Sequence, residues 1–175
     1  TESVPPPSTA YGFLLSLVGE EDRDRHRGCR VTAGIIGAPP VSTVLRTLWR
    51  IKDWERAPGT GCNATPDYQQ LVTNAEVVVW CSGEASAAPG RPDIEARVEA
   101  ALRLPEIVRR FGGLSRGEST YLVDEVRLLG PLDLARAPRV FLLDPLGDTT
   151  LPVWVDHVGS AGTCYARGRL QPCSA

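Results

Sequence analysis

Short apolar runs, each closed by a turn rich in glycine or proline, recur along most of this chain. The 175 residues include 17 glycines and 15 prolines, a share of turn formers that is high for a globular protein and implies many short strands. One stretch differs, because Asp93 is a good helix N-cap and residues 94–111 repeat apolar side chains at helical spacing. The pattern predicts a mainly β fold, a two-sheet antiparallel β-sandwich with a helical insertion at about residues 93–111.

The length of the chain and the order of its apolar runs predict a simple organisation. A length of 175 residues is typical of one domain around one core. We therefore expect a flexible, proline-rich lead at residues 1–10 and a single domain at residues 11–175. The first two runs flank a charged turn, which favours a hairpin, and His26 in that turn is expected to be solvated. Strands are expected at residues 11–20, 29–37, 41–54, 74–83, 119–130, 138–144 and 151–159.

Charge and hydropathy argue against two classes of partner. The formal net charge is -2 and the isoelectric point is about 5.7, whereas a nucleic-acid surface usually needs a clustered excess of basic residues. No apolar run is long enough to span a membrane. The first ten residues have neither a basic region nor an apolar region, so they are expected to be a mature terminus left after signal cleavage. The sequence therefore predicts no nucleic-acid partner and no membrane partner.

The cysteines are expected to form disulfides in a secreted protein. The five cysteines contain no CxxC pair, and the chain has only two histidines, so no zinc-ligand spacing can be assembled. A glycosylation sequon at Asn63 favours the secretory pathway as well. The odd count leaves the pairing open and allows one thiol to join a partner chain, as in an envelope subunit. The cysteines concerned are Cys29, Cys62, Cys81, Cys164 and Cys173, the last two of which could close a small loop.

A possible nucleophile motif lies in the middle of the chain. Residues 113–117 read GLSRG, which matches the G-x-S-x-G pattern around Ser115, with Asp144 and His157 following in the order used by α/β-hydrolases. That motif needs a strand before the serine and a helix after it, but here a helical segment precedes and a strand-like segment follows. A secreted serine hydrolase is therefore kept only as a distant alternative.

An acidic residue opens one of the most apolar strand-like runs. In NAEVVVWCSG, residues 74–83, the two-residue period of a strand puts Glu76, Val78 and Trp80 on one face. Such an acid is placed either for a partner cation or to keep an edge soluble. A second run, residues 41–54, gathers basic residues on one strand face, among them Arg50.

The order of these segments resembles the poxvirus secreted chemokine-binding proteins, a family of viral immune-evasion β-sandwiches. YGFLLSLVGEEDRDRHRGCRVTAGI is similar to the opening hairpin of that family, and LWRIKDW is similar to a strand carrying an arginine ahead of a cysteine. NAEVVVWCSGE, STYLVDEV and PRVFLLDPLGD resemble three later strands. Two features depart from the family: no long acidic loop is present, and Ala75 stands where a cysteine is expected.

The resemblance implies a non-enzymatic, secreted viral decoy that binds host chemokines and blocks receptor engagement. It places Glu76 and Arg50 on the ligand-contacting face together with Val123, and Val78 and Trp80 would be their apolar neighbours. No cofactor or metal is implied, and oligomerisation is left open. Because of these departures a second interpretation stays open. The chain could belong to a sister branch of the same viral group, whose members inhibit cytokines such as granulocyte-macrophage colony-stimulating factor or interleukin-2.

Overall fold

The computed structural model describes residues 4–49, 51–83, 93–117 and 121–173. Contacts within the chain divide the molecule into two compact units. The smaller unit is Ala38–Glu76, and the larger unit combines Glu2–Gly37 with Val77–Ala175. Within the described ranges, no helix has both the length and the apolarity needed to cross a bilayer.

A five-stranded sheet forms the larger unit. In spatial order its strands are β4 (Glu76–Ser82), β1 (Arg30–Ile36), β5 (Arg139–Leu143), β7 (Cys164–Pro172) and β6 (Thr149–Trp154). The pairs β1–β5, β5–β7 and β7–β6 are antiparallel, with Phe141 opposite Leu170 and Leu151 opposite Ala166. One face of the sheet is apolar and buried, since Ala33, Phe141 and Leu151 are at most 2 % exposed.

Helix α1 (Pro7–Leu17) covers that apolar face. Proline at the first helical positions suits a helix start, because the N–H that proline lacks would have no partner there. Tyr11, Leu14, Leu15 and Val18 are buried in one cluster, a spacing that fits a helix and not a strand. The predicted strand at residues 11–20 and its hairpin are therefore wrong, and residues 7–10 of the expected flexible lead belong to this helix.

Helix α2 (Ile94–Arg103) confirms the predicted helical insertion, in a shorter form. The carboxylate of Asp93 accepts a hydrogen bond from Ala96 N at 2.8 Å and caps the first turn. Its buried side, Ile94 and Ala101, packs into the same cluster as α1. A short 3-10 turn at Pro105–Ile107 follows, and a third helix, α3, spans Pro131–Ala135.

The smaller unit contains a two-stranded antiparallel ribbon. Strand β2 (Val41–Trp49) pairs with β3 (Ala64–Val72), from Val41 opposite Val72 to Trp49 opposite Ala64. The sequence predicted a strand at residues 41–54, which contains β2, but no strand over the range of β3. We call this hairpin, with the loop that joins its strands, the ribbon.

The mainly β, antiparallel character of the fold is confirmed, and the pairing of two facing sheets into a sandwich stays a prediction. Two expected segments differ. The tail, expected to close a disulfide loop, is strand β7. Residues 121–130 contain no strand among the described positions beyond a single bridge between Leu122 and Ser115. The expectation of one domain stays a prediction as well.

All five cysteines are free thiols, which corrects the predicted disulfides. Burial raises the pKa of Cys29 to about 11, and burial also raises the pKa of Cys81. Both side chains pack against the cluster around α1 and α2, whereas Cys62 and Cys164 are exposed. Cys29 and Cys81 thus behave as small core residues and not as members of a disulfide.

The thiols are expected to differ strongly in reactivity. Because the thiolate is the nucleophile and burial raises the pKa of Cys29, this thiol should be alkylated by iodoacetamide near pH 8 much more slowly than the exposed Cys62 and Cys164. Mass spectrometry of the native protein at timed intervals measures this difference. Full denaturation without reductant should make all five thiols react, and a pair that stays unreactive would contradict the free-thiol assignment.

Candidate functional site

The ribbon presents large apolar side chains to solvent on one of its faces. Directly opposed residues of an antiparallel pair point to the same side, so Leu45 shares a face with Tyr68. Trp49, four residues further along β2, is on that same face. These three side chains are 62 %, 76 % and 73 % exposed. Singly exposed hydrophobic residues are ordinary, but two aromatic rings on one face of a thin ribbon form a candidate contact surface.

Trp49 is held in place from one side by the loop that follows it. Gly59, at a φ of +76°, lies so close that a Cβ atom there would sit 2.8 Å from Trp49 Cε2. Only glycine fits both this backbone conformation and this approach. The indole is thus backed by backbone and still largely exposed.

Asn63 ties the ribbon loop together. Its Oδ1 accepts hydrogen bonds from the backbone N–H groups of Lys52 and Asp53, at 2.8 and 2.9 Å. Its Nδ2 donates to the carbonyl oxygens of Asp53, Arg56 and Ala57 at 2.8, 3.0 and 3.4 Å. The residue is fully buried, so the expected glycosylation at Asn63 is wrong: the amide nitrogen is enclosed and already used.

Basic side chains accompany the aromatic residues on the ribbon. Arg46 NH1 donates to Gln69 Oε1 at 2.6 Å, and Lys52 Nζ donates to Thr65 Oγ1 at 3.2 Å. Arg56 pairs with Asp53 through Nε at 3.1 Å. By the β2–β3 register, Arg46 lies on the face opposite the two rings, and Thr65, which Lys52 reaches, lies on that opposite face too. The exposed rings by themselves suit a ligand with flat, unstacked rings, as single-stranded nucleic acid has.

The residues expected to contact a chemokine do not form an open patch. Glu76 is exposed at the start of β4, but Val78 is only 5 % exposed and belongs to the core. Trp80 is half-buried, and its ring lies against Gly34, where a Cβ atom would be 3.1 Å from Cζ3. Val123 is half-buried next to the bridge residue Leu122, and Arg50 lies outside the described residues.

Ser115, Asp144 and His157 are not arranged as a catalytic triad. Ser115 forms the bridge with Leu122, and Asp144 pairs with Arg169 and accepts a hydrogen bond from Leu146 N at 2.8 Å. His157 is exposed in the loop before β7. Among the residues that the structure describes, no hydrogen bond joins Ser115 to His157, and the strand–turn–helix setting of a nucleophile is missing.

A buried polar cluster in the larger unit was not expected from the sequence. His26, taken there as a solvated turn residue, is 3 % exposed, and its Nε2 accepts a hydrogen bond from Arg97 NH1 at 2.7 Å. Arg97 also contacts Glu20 Oε2 at 2.6 Å, and Arg25 contacts the same oxygen at 2.8 Å. Burial, reinforced by the charge of Arg97, lowers the pKa of His26. The cluster fastens the 20–28 turn to α2, which is a structural role.

This cluster predicts a pH dependence of stability. Because the pKa of His26 is lower in the folded state, the unfolded chain takes up a proton first as the pH falls through about 6.5. The free energy of unfolding should therefore decrease between pH 7 and 5, by at most about 1.4 kcal/mol per pH unit. Urea unfolding measures it. His26→Gln should flatten this decrease and His157→Gln should keep it; equal slopes in both variants would contradict the assignment.

Comparisons with known proteins identify the relatives of the chain. No protein-family model matches it. A protein of Myxococcus xanthus (strain DK1622), described as CRISPR-associated protein Cas5, is 54 % identical over 171 residues, covering 98 % of this chain and 79 % of the relative. A chain of a solved CRISPR RNA-guided surveillance complex shares the fold with a TM-score of 0.61 at 15 % identity, over 99 % of this chain and 80 % of that chain.

These relationships overturn the resemblance to poxvirus proteins. The interpretations as a secreted chemokine decoy, a cytokine inhibitor or a serine hydrolase are wrong, and so are the extracellular location, the chemokine partners and the exclusion of nucleic acid. The resemblance to the poxvirus proteins depended on the order of several weak strand patterns, and many β proteins share such an order. Identity of 54 % over nearly the whole length is far stronger evidence. The chain therefore belongs to the CRISPR-associated Cas5 family.

Proposed function

We propose that this protein is an RNA-binding subunit of an RNA-guided CRISPR complex. The observation that carries the proposal is the 54 % identity to a CRISPR-associated Cas5 protein across 98 % of the chain. The fold similarity to a chain of an RNA-guided surveillance complex supports the same assembly. The subunit would contact the guide RNA and neighbouring protein subunits.

The ribbon is the part of the chain best suited to contact RNA. Trp49 and Tyr68 are 73 % and 76 % exposed on one face, and exposed aromatic rings are the usual stacking platforms for unpaired bases. Arg46 and the Lys52–Thr65 hydrogen bond lie on the opposite face of the ribbon, so the contact proposed for this face is base stacking on the two rings. Asn63 keeps the loop between the strands in one conformation, so the platform is pre-formed.

The low net charge is compatible with this role. A net charge of -2 averages over the whole chain, whereas RNA contacts only a local surface. Stacking and hydrogen bonding contribute affinity that does not depend on a basic protein. A subunit that shares its RNA with neighbours also needs only part of the positive charge.

We also infer a reducing, intracellular location and a binding role without catalysis. Five free thiols fit a compartment where glutathione keeps cysteines reduced. The G-x-S-x-G motif around Ser115 lacks the strand–turn–helix setting that a serine nucleophile of this class needs. The protein would hold RNA and leave it intact.

Fluorescence anisotropy with the purified full chain tests this function. A labelled single-stranded RNA should bind, more tightly than a duplex of the same sequence, and with an affinity that falls as salt rises from about 50 to 200 mM. The RNA should remain uncut on a denaturing gel. Absence of binding, or a preference for duplex, would contradict the RNA-binding role, and cleavage would contradict the non-catalytic role.

A further inference from the structure

The face of the five-stranded sheet opposite α1 carries a row of exposed polar and aromatic side chains on strand β7, outside the ribbon. Strand β7 alternates: Ala166, Gly168 and Leu170 point towards the buried side, so Tyr165, Arg167 and Arg169 point to the other. The register confirms this, because Leu170 is opposite the buried Phe141, and Arg169 is opposite the exposed Leu142.

This row lies on an inner strand and is open to solvent. Strand β7 sits between β5 and β6, so its side chains stand on the sheet and not at its edge. Tyr165 is 66 % exposed, Arg167 and Arg169 are both exposed, and the neighbouring Leu142 is 40 % exposed. At the β1–β4 end, by contrast, the same face is covered by Trp80, whose ring lies against Gly34. The open part of the face is thus confined to β5, β7 and β6.

The spacing and charge of the row favour a polyanion that carries flat rings. Successive residues on one strand face are about 7 Å apart, a distance comparable with that between neighbouring phosphates of an extended nucleic-acid strand. Arg169 forms an ion pair from its NH2 to Asp144 Oδ2 at 2.5 Å, which offsets part of its positive charge. Arg167 faces Thr150 across the β6–β7 pair and is exposed. The tyrosine can stack a base while the guanidiniums contact phosphate.

We propose that Tyr165, Arg167 and Arg169 form a second single-stranded RNA platform on the sheet, separate from the ribbon. The inference rests on the RNA-binding function proposed above and names a further surface for it. RNA is favoured over a protein partner because the row is an aromatic ring in line with two cations. Among the described residues of this face, Leu142 is the large apolar side chain that flanks the row, because the more exposed Leu143 points to the other side of the sheet. One such side chain is too little for a protein interface core.

Binding measurements on the full chain test the platform. The probe is a fluorescein-labelled single-stranded RNA of mixed sequence, titrated at several salt concentrations. Tyr165→Ala should weaken binding about tenfold and Tyr165→Phe should keep it, because the ring is retained. Arg167→Gln should reduce the slope of log K against log salt by about 0.7, the value for one lost phosphate contact. Arg103→Gln, an exposed arginine on α2 paired with Glu99, is the charge-matched control and should leave that slope unchanged.

The outcomes separate this inference from the proposed function. If wild-type protein binds no single-stranded RNA, both fail. If alanine at Trp49 and Tyr68 weakens binding while the Tyr165 and Arg167 variants bind as wild type, the ribbon function stands and the sheet platform is wrong. If those sheet variants bind RNA normally but no longer assemble with partner subunits, the face is a protein contact and the inference is overturned. Circular dichroism and melting of each variant verify that it is folded.

Discussion

Replacing Trp49 and Tyr68 together by alanine is expected to weaken binding of single-stranded RNA about 100-fold. Each ring is largely exposed on the same face of the ribbon, and stacking of one base on an aromatic side chain contributes about 1–3 kcal/mol. Two stacked bases therefore account for roughly two orders of magnitude in affinity. Anisotropy titration of the full chain with labelled RNA gives the ratio of dissociation constants.

A matched variant separates stacking from structure. Trp49→Phe with Tyr68→Phe keeps two rings on the ribbon and should bind within a few-fold of wild type. Trp49 also supports the loop at Gly59, so the alanine variant needs a check that the ribbon is intact. Hydrogen exchange of the β2–β3 amides supplies it. Unchanged affinity in a variant whose ribbon is still protected would remove the ribbon from the RNA site.

Replacing Asn63 by alanine is expected to destabilise the ribbon loop by about 3 kcal/mol. The substitution leaves two backbone N–H groups without their acceptor and three carbonyl oxygens without their donor. Each buried group that loses its partner costs about 1–3 kcal/mol, and water entering the site recovers part of that. Amide exchange of Lys52 and Asp53 should accelerate more than 100-fold, as this loss of local stability requires.

Two control variants test the reason for that effect. Asn63→Asp keeps the acceptor but loses the donors, so it should fall between wild type and alanine. Thr65→Val removes the sequon and the Lys52 side-chain hydrogen bond, both at the exposed edge, and should change stability by less than about 1 kcal/mol. If Thr65→Val were as damaging as Asn63→Ala, the hydrogen bonds of Asn63 would not explain the effect.

Local sequence patterns predicted some elements correctly because the relevant forces are local. Strand β2 follows from its alternation, and α2 follows from Asp93 and the helical spacing after it. Helix α1 was missed because its apolar residues satisfy both a two-residue period and a helical period. Tyr11 and Leu15 fit either pattern, and only the burial of Leu14 and Val18 decides between them. Strand β3 was hidden by Pro66 and Asp67, residues that usually mark a loop.

The candidate site could be predicted only in part. Trp49 was visible in the sequence, but its 73 % exposure depends on the pairing of β2 with β3, a strand that the sequence did not predict. The role of Asn63 depends on hydrogen bonds to a loop whose path composition does not give. Net charge misled for a physical reason, since it sums over the whole chain and does not report which side chains share one face.

The most direct test of the central claim is to identify the RNA held by the protein in cells. The tagged full chain would be purified from cells that contain a CRISPR array, and the bound RNA would be sequenced, with the Trp49 and Tyr68 alanine variant as control. The account predicts that guide transcripts of the array are strongly enriched with wild-type protein and depleted in the variant. Recovery of wild-type protein with no enrichment of array transcripts would contradict it.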